Sequence, residues 1–534
     1  MLHRVIFFII VARACLGICL AQKKASQPNI LYIMSDDHTS QAVGAYGGRL
    51  APLNPTPNID ALASEGVVFD NTFCTNSICC PSRATIITGQ YSQTNGVIDL
   101  DQGLSVEKQY LPMEMKKLGY STAIIGKWHL HNEPVNFDYY KVLPGQGKYH
   151  DPVFREKGKG QWPNNTVNTS GHSSDVITDI SIDYLEHRDK TKPFFLMHHF
   201  KAPHDFFEYA DRYENYLSDV IIPEPASLYE QGEFGGKTLH GDQGSLNSVV
   251  GTSVSARHHG RNYIKTFGYE DADLSFDEKT HLAYQHYLKA YLRCVKGVDD
   301  NLGRLFGYLK KEGLWENTII IYTADQGMML GEHDLQDKRW MYEESLRMPF
   351  IVRDPSSKIN GTHNDLLINN TDFAPTMISL AGGKVPAKMQ GRSFQRTLRG
   401  KTEKDWRTAT YYRYWMHMIH HWVPAHFGVR TQRYKLIFYY SEHYLDDQAQ
   451  KPFYWKMQYD SVTEEIPVSW EFYDLEKDPK EMNNRYDDPA YQEIISKLKE
   501  EILAQRAKYN ETDEHYPEIQ KVIDEHWDDQ KAVN

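Results

Sequence analysis

The chain has 534 residues, of which 40% are hydrophobic and 24% charged, with a formal net charge of −12 and six cysteines. This composition excludes a disordered chain and supplies one large apolar core or two smaller ones. The acidic balance excludes a general nucleic-acid binder, which neutralises phosphates with surplus Lys and Arg, and six cysteines are too few for a disulfide-built scaffold.

His3 and Arg4 precede the apolar run Val5 to Ala12, and a second run, Ala14 to Leu20, leads to Ala21. Residues 1–21 read as a secretory signal peptide. The alternative, an N-terminal membrane anchor, needs roughly 20 uninterrupted apolar residues, and Arg13 breaks the run. Cleavage removes Arg4 and Arg13, taking the net charge from −12 to −14. Cys15 and Cys19 leave with the peptide, so Cys74, Cys79, Cys80 and Cys294 remain. No later segment is apolar enough to span a bilayer, and the expected location is exported, in a periplasm or secreted.

From Asn29 the sequence Asn-Ile-Leu-Tyr-Ile-Met-Ser is a short continuous apolar run, the pattern of a strand buried on both faces. Similar runs recur at 120–126, 193–200, 317–325 and 348–352. Helix-like stretches at 58–66, 173–187 and 371–380 separate them, and the clearest helix falls between His281 and Leu309, with apolar residues every three or four positions. The alternation predicts an α/β fold with a large, mainly parallel sheet flanked by helices. We place a catalytic domain at 22–400 and a smaller C-terminal subdomain at 401–510, where aromatic, strand-like pieces precede a helix near 491–509. Residues 511–534 hold eight acids and two lysines and read as a solvated acidic tail.

Ligands of α/β sheets gather outside the carboxyl ends of strands, and several polar clusters fall at such ends. Asp36 and Asp37 follow the first strand, and Asp325 and Gln326 follow a later one. Together they form an all-oxygen set that suits a hard cation such as calcium. Acids at strand ends are singly more often turn residues or helix caps. Cys79-Cys80-Pro81-Ser82-Arg83 reads as the first turn of a helix, whose N-terminus favours an anion, with Arg83 one turn after Cys79. A thiolate nucleophile at Cys79 is an alternative reading. Lys127 and His129 follow a strand, and alternation in an extended segment points both to one side, away from Trp128. His204 follows another strand, and Lys338 ends a loop of glycine and acids. A lone histidine is usually structural; the shared position of these clusters after apolar runs is what marks them.

With these clusters in order, the chain resembles the formylglycine-dependent sulfatases of the alkaline phosphatase superfamily over nearly its whole mature length. The most specific element is Cys79-x-Pro81-Ser82-Arg83 with Thr88-Gly89, beside Gly126-Lys127-Trp128-His129 and the double aspartate. Gly331-Glu332-His333-Asp334 and Asp337-Lys338-Arg339 resemble carbohydrate sulfatases acting on sulfated glycans. The resemblance implies an alkaline-phosphatase-like α/β domain and a smaller C-terminal subdomain with an antiparallel sheet. It implies that a formylglycine-generating maturation enzyme oxidises Cys79 to formylglycine (3-oxoalanine). It also implies that Asp36, Asp37, Asp325, Gln326 and the modified Cys79 hold one calcium, although Gln326 departs from the asparagine or histidine often found there. Arg83 would hold the aldehyde hydrate, with Lys127, His129, His204 and Lys338 around the sulfate. Charge then suggests a mechanism: cations on the sulfuryl oxygens, attack on sulfur by the hydrated aldehyde activated by calcium and Asp325, His204 protonating the departing sugar oxygen, and His129 taking a proton to expel sulfate.

The expected function is an exported sulfatase acting on sulfated oligo- or polysaccharides, an algal polysaccharide such as ulvan or a glycosaminoglycan. His131, His333 and the aromatic stretch from Tyr411 to His426 are the specificity candidates, although so dense an aromatic stretch is more often core packing. An acidic surface repels a long polyanion, so short oligosaccharides or chain ends are expected to fit best. The rival readings are a phosphate or phosphonate ester hydrolase of the same superfamily, and a glycan-binding protein without turnover.

Overall fold

The computed structural model describes residues 27–257, 261–444 and 464–529; the expected signal peptide, residues 1–21, lies outside them. The first apolar run forms strand β1, Asn29–Ser35, with every residue buried. The remaining strands of the main sheet are β2 (Val67–Phe69), β3 (Ser121–Lys127), β4 (Tyr139–Leu143), β5 (Val153–Glu156), β6 (Thr166–Asn168), β7 (Phe194–His199), β8 (Thr318–Ala324), β9 (Phe350–Arg353) and β10 (Thr362–Asn364). Their order is β10-β2-β9-β8-β1-β7-β3-β4-β5-β6.

The five strands from β8 to β4 run parallel. Strand β9 is antiparallel to both neighbours, and β5 and β6 turn back at one edge, so the sheet is mixed around a parallel centre. The direction of β9 follows from its connection. A parallel neighbour needs a crossover, usually through a helix, whereas the described link from Ala324 to Phe350 contains only short pieces, the longest helix being Glu343–Leu346.

Alternate residues of β1 serve two cores, as the pleat requires. Ile30, Tyr32 and Met34 pack in one, with helix α2 (Cys79–Thr88), and Leu31 and Ile33 in the other. Helices α1 (Pro57–Ser64), α3 (Ser173–His187) and α4 (Phe276–Lys311) line this second core. The N-terminus of α4 carries a capping box from Ser275 and Glu278. Asp299, fully buried on α4, accepts from the backbone amides of Asn58 and Ile59 at 3.0 and 2.9 Å, thereby tying α1 to α4. Cys74, Cys79, Cys80 and Cys294 are all free and buried.

The C-terminal strands β11 (Ala409–Tyr414), β12 (His426–Thr431), β13 (Tyr434–Tyr439) and β14 (Ser469–Asp474) form a separate antiparallel sheet, covered by helix α5 (Gln492–Tyr509). Most of the aromatic stretch is core: Tyr411, Tyr412, Tyr414 and Trp415 are at most 1% exposed. The reading of 511–534 as a solvated tail is corrected at its start. Glu511 and Asp513 are buried, and Ile519 and Ile523 of helix α6 (Pro517–His526) join the core. Asp513 is buried because two arginines meet it there: Arg413 Nη2 lies 2.6 Å from its carboxylate, and Arg506 pairs with its other oxygen. Arg413 also stacks 3.4 Å from the centroid of Trp415.

Two stability outcomes follow. Arg413→Ala leaves the buried Asp513 with Arg506 as its remaining charged partner and removes the stack on Trp415, and should lower the unfolding free energy by about 2–4 kcal/mol, read by urea denaturation. Asp299 is pushed up to about 6, chiefly by burial. A carboxyl raised above its unfolded value contributes stability that is lost as pH rises through that range. Unfolding free energy should therefore fall by up to about 3 kcal/mol between pH 4 and 6 from this group. Asp299→Asn should flatten that slope, and an unchanged slope would refute the assignment.

Candidate active site

The carboxyl ends of β1, β8, β7 and β3 converge with the N-terminus of α2. Asp36 and Asp37 leave β1, Asp325 and Gln326 leave β8, and all four are completely buried. Asp36, Asp37 and Asp325 each present an oxygen within 4.8 Å of the others. The Asp37 amide donates to Asp325 Oδ1 at 3.2 Å, and the Gln326 side-chain amide donates to Asp37. Gln326 Oε1 is buried without a partner. The set is all-oxygen and leaves one oxygen unused, so the residues fit a hard cation such as calcium, which these four would hold.

Cys79 opens α2, with Sγ 3.4 Å from Asp36 Oδ1 and 3.8 Å from the Gln326 amide nitrogen. Burial, reinforced by Asp36, pushes its thiol up to about 12. Arg83, one turn on, donates to Asp325 Oδ2 through Nε at 2.9 Å and to the Lys127 carbonyl at 2.6 Å. Lys127 pairs with Asp36 and lies 3.9 Å from Cys79 Sγ; Lys338 Nζ lies 2.5 Å from Asp37 Oδ2. Burial works against the charge on Asp36, but Lys127, His204, Arg83 and Lys338 hold its carboxyl well below the usual range. Asp325 is pushed the other way, up to about 7, by burial and by the neighbouring Asp36.

Gly126 shows why glycine precedes Lys127. It has φ +101°, and a Cβ there would lie 1.8 Å from the His199 carbonyl, so only glycine lets β3 end against β7. The alternation expected at 127–129 stops with the strand at Lys127, yet His129, turned at φ 53°, still reaches the site. Its Nδ1 has no partner, and burial with Lys127 and Arg83 nearby holds it well below the usual histidine range. His204 Nε2 faces Asp37 Oδ2 at 3.8 Å. His131 stands exposed at the mouth, its ring 6.0 Å from that of His129.

His333 does not join them. It is completely buried, stacked 4.3 Å from Phe234, because its loop turns inward at φ 56°. Its ring lies against Phe234 and Tyr342 and not against the residues of the cluster, so the structure does not bring it to the expected substrate contact. The structure adds residues that sequence reasoning missed. Gln146 Oε1 accepts from Lys127 at 2.5 Å, and Asp205 and Arg261 sit behind His204. Asp205 adjoins His204 in sequence, a signal that was available; nothing local marks Gln146 or Arg261. His421, in the second half of the aromatic stretch, lies 3.4 Å from Asp337, the residue before Lys338.

A buried cluster of carboxylates and cations around the cysteine that opens α2, at the carboxyl edge of such a sheet, suits a tetrahedral anion such as a sulfate ester. A family model for sulfatases matches residues 28–383, and one for the C-terminal region of N-sulphoglucosamine sulphohydrolase matches 331–467 and 455–508. The chain belongs to the sulfatase family. It is 36% identical over 526 residues to the N-acetylglucosamine-6-O-sulfatase of Bacteroides thetaiotaomicron, covering 92% of this chain and 88% of that protein. The N-acetylglucosamine-6-sulfatase of Capra hircus is 27% identical, covering 74% and 67%. A solved structure in complex with its substrate D-glucosamine-2-N,6-O-disulfate matches with TM-score 0.78 and 36% identity, over 91% and 99% of the two chains. A phosphonate monoester hydrolase of Agrobacterium radiobacter shares the fold alone, at TM-score 0.65 and 20% identity.

The relocation of His333 is checked kinetically. His333→Leu should leave KM for a sulfated N-acetylglucosamine within about twofold of wild type, and a tenfold rise would return His333 to the pocket.

Proposed function

We infer that this sulfatase removes 6-O-sulfate from glucosamine or N-acetylglucosamine residues of sulfated glycosaminoglycan fragments. The observation that carries the reading is the cluster around Cys79, three carboxylates interleaved with Arg83, Lys127 and Lys338, in a chain 36% identical to an N-acetylglucosamine-6-O-sulfatase over most of its length. The substrate complex among its structural relatives supports the same sugar. The leader-like segment 1–21 supports export, to a periplasm or secreted.

Cys79 is the residue to be oxidised to formylglycine by a maturation enzyme, and Asp36, Asp37, Asp325 and Gln326 are the residues to hold calcium. When bound, the ion supplies positive charge that polarises the sulfuryl group, and the aldehyde hydrate supplies the nucleophilic oxygen and a second hydroxyl for release of sulfate. A free thiol offers no such second hydroxyl. Lys127 and Lys338 bind sulfuryl oxygens and neutralise charge that grows as the ester breaks. Arg83 fixes Asp325 and the end of β3. His204, with Nε2 turned to the site, delivers a proton to the departing sugar oxygen, since an alkoxide is a poor leaving group. His129, with a free Nδ1, accepts the proton whose removal releases sulfate.

Three measurements test this reading. Intact mass of the Cys79 peptide should show the thiol replaced by an aldehyde, and Cys79→Ala should lower kcat by about 10⁴-fold or more. Full activity of the unmodified thiol would overturn it. Chelation should reduce kcat by about 100-fold or more and lower the unfolding temperature, both restored by calcium. On a panel of defined sulfated sugars and the matching phosphate esters, sulfate should be released from the 6-position of glucosamine units. Preference for another position, or for phosphate, would overturn the substrate assignment.

A further inference from the structure

His204 is held from behind. Its Nδ1 lies 2.8 Å from Asp205 Oδ1 and 2.7 Å from the Asp205 carbonyl oxygen, so two acceptors converge on one ring nitrogen. Two acceptors fix the hydrogen on Nδ1 and leave Nε2 as the nitrogen presented to Asp37 and the sulfate position. The other oxygen of Asp205 pairs with Arg261, and the carboxylate is only 14% exposed. Burial disfavours its charge, but His204 and Arg261 hold it well below the usual carboxylate range.

Arg261 is itself placed by the segment that leads into Lys338. The Gln336 side-chain amide donates to the Arg261 carbonyl at 2.8 Å and to that of Ser253 at 3.0 Å, and its backbone amide donates to Thr252 at 3.1 Å. Asp334 accepts from the Ser255 amide at 2.8 Å. Lys338, two residues beyond Gln336, pairs with Asp37. The sulfate-binding lysine and the support of the proton donor are thus hydrogen-bonded parts of one piece of structure.

We propose that Asp205, clamped by Arg261, is a positioning residue for His204: it keeps the hydrogen on Nδ1 and aims Nε2 at the bridging oxygen of the ester. The inference rests on His204 being the proton donor. In the step, sulfur bonds to the attacking oxygen as its bond to the sugar oxygen breaks; that electron pair stays on the sugar oxygen, which takes the proton carried on Nε2, while Nδ1–H remains on Asp205. Arg261 touches neither atom; its role is to hold Asp205 within reach.

The proposal is tested by varying the need for a proton. Wild type, His204→Ala, Asp205→Asn, Asp205→Glu and Arg261→Ala are compared on N-acetylglucosamine-6-sulfate and on 4-nitrophenyl sulfate, whose leaving group needs no proton. Enzyme concentrations are set to give a readable wild-type rate on both. His204→Ala should lose kcat on the sugar by about 100-fold or more and on the aryl ester by at least tenfold less than that, and Asp205→Asn should lose about 10-fold or more on the sugar, with KM little changed and the aryl ester within about threefold. Asp205→Glu should recover part of the loss, and Arg261→Ala should lose kcat on the sugar by a smaller factor.

If His204→Ala shows no preference between esters, His204 is not the proton donor and the inference falls with that reading. If His204→Ala shows the preference but Asp205→Asn and Asp205→Glu lower both esters alike, Asp205 is structural and only the positioning role is overturned. A change confined to KM in Arg261→Ala makes Arg261 a substrate contact and refutes the clamp.

Discussion

The burial of Asp36, Asp37 and Asp325 against one another is the constraint on which the rest of the site depends. Taking a carboxylate out of water costs several kcal/mol even after relaxation, and three within 4.8 Å also repel each other. No sheet would tolerate that without compensation. Lys127 on Asp36, Lys338 on Asp37 and Arg83 on Asp325 provide it, each from a different segment. The fold is arranged so that these segments end at one point: β1 and β8 bring the acids, β3 ends in Lys127, and α2 begins at Cys79. The result is a polar centre inside an apolar protein, with geometry set by the parallel strands on both sides of β1.

The same constraint explains local choices that otherwise read as sequence idiosyncrasy. Gly126 is required because Lys127 must approach Asp36 where β3 closes on β7. Gly327, immediately after Gln326, is in a similar position: a Cβ there would lie 2.1 Å from the Glu344 carbonyl. Both glycines let backbone pack on backbone beside a charge that cannot move. The C-terminal subdomain uses the same device in another place, where Asp513 is buried between Arg413 and Arg506.

Much of this was legible in the sequence because it follows from local pattern. The central strands are continuous apolar runs, and Asp36, Asp37, Cys79, Lys127, His204 and Asp325 stand directly after such runs or at a helix start, so chain order alone assembled most of the cluster. Features set by long-range geometry were not legible. The direction of β9 depends on what its connection lacks. His333 shares a motif with residues near the site but turns away at a positive φ, which no spacing reveals. The charge run at 511–534 hid Glu511 and Asp513, since a count of acids cannot show that Arg413 and Arg506 wait for them. Gln146 and Arg261 come from loops whose paths are fixed only by contacts with distant strands.

Charge also decides how an acidic protein can take an anionic substrate. The side chains at the centre nearly cancel, three carboxylates against Arg83, Lys127 and Lys338, and each cation already has a carboxylate partner. A sulfate ester entering such a site gains little unless the balance shifts positive. On the proposed reading Asp36, Asp37, Asp325 and Gln326 would hold calcium, whose charge would shift that balance and leave Lys127 and Lys338 freer for the sulfuryl oxygens. Recognition of the anion then depends on the carboxylates as much as on the lysines. Removing an acid from this cluster should therefore weaken sulfate binding, the opposite of what simple repulsion between an acid and an anion would give, and the excess of acids over the whole chain has little bearing on it.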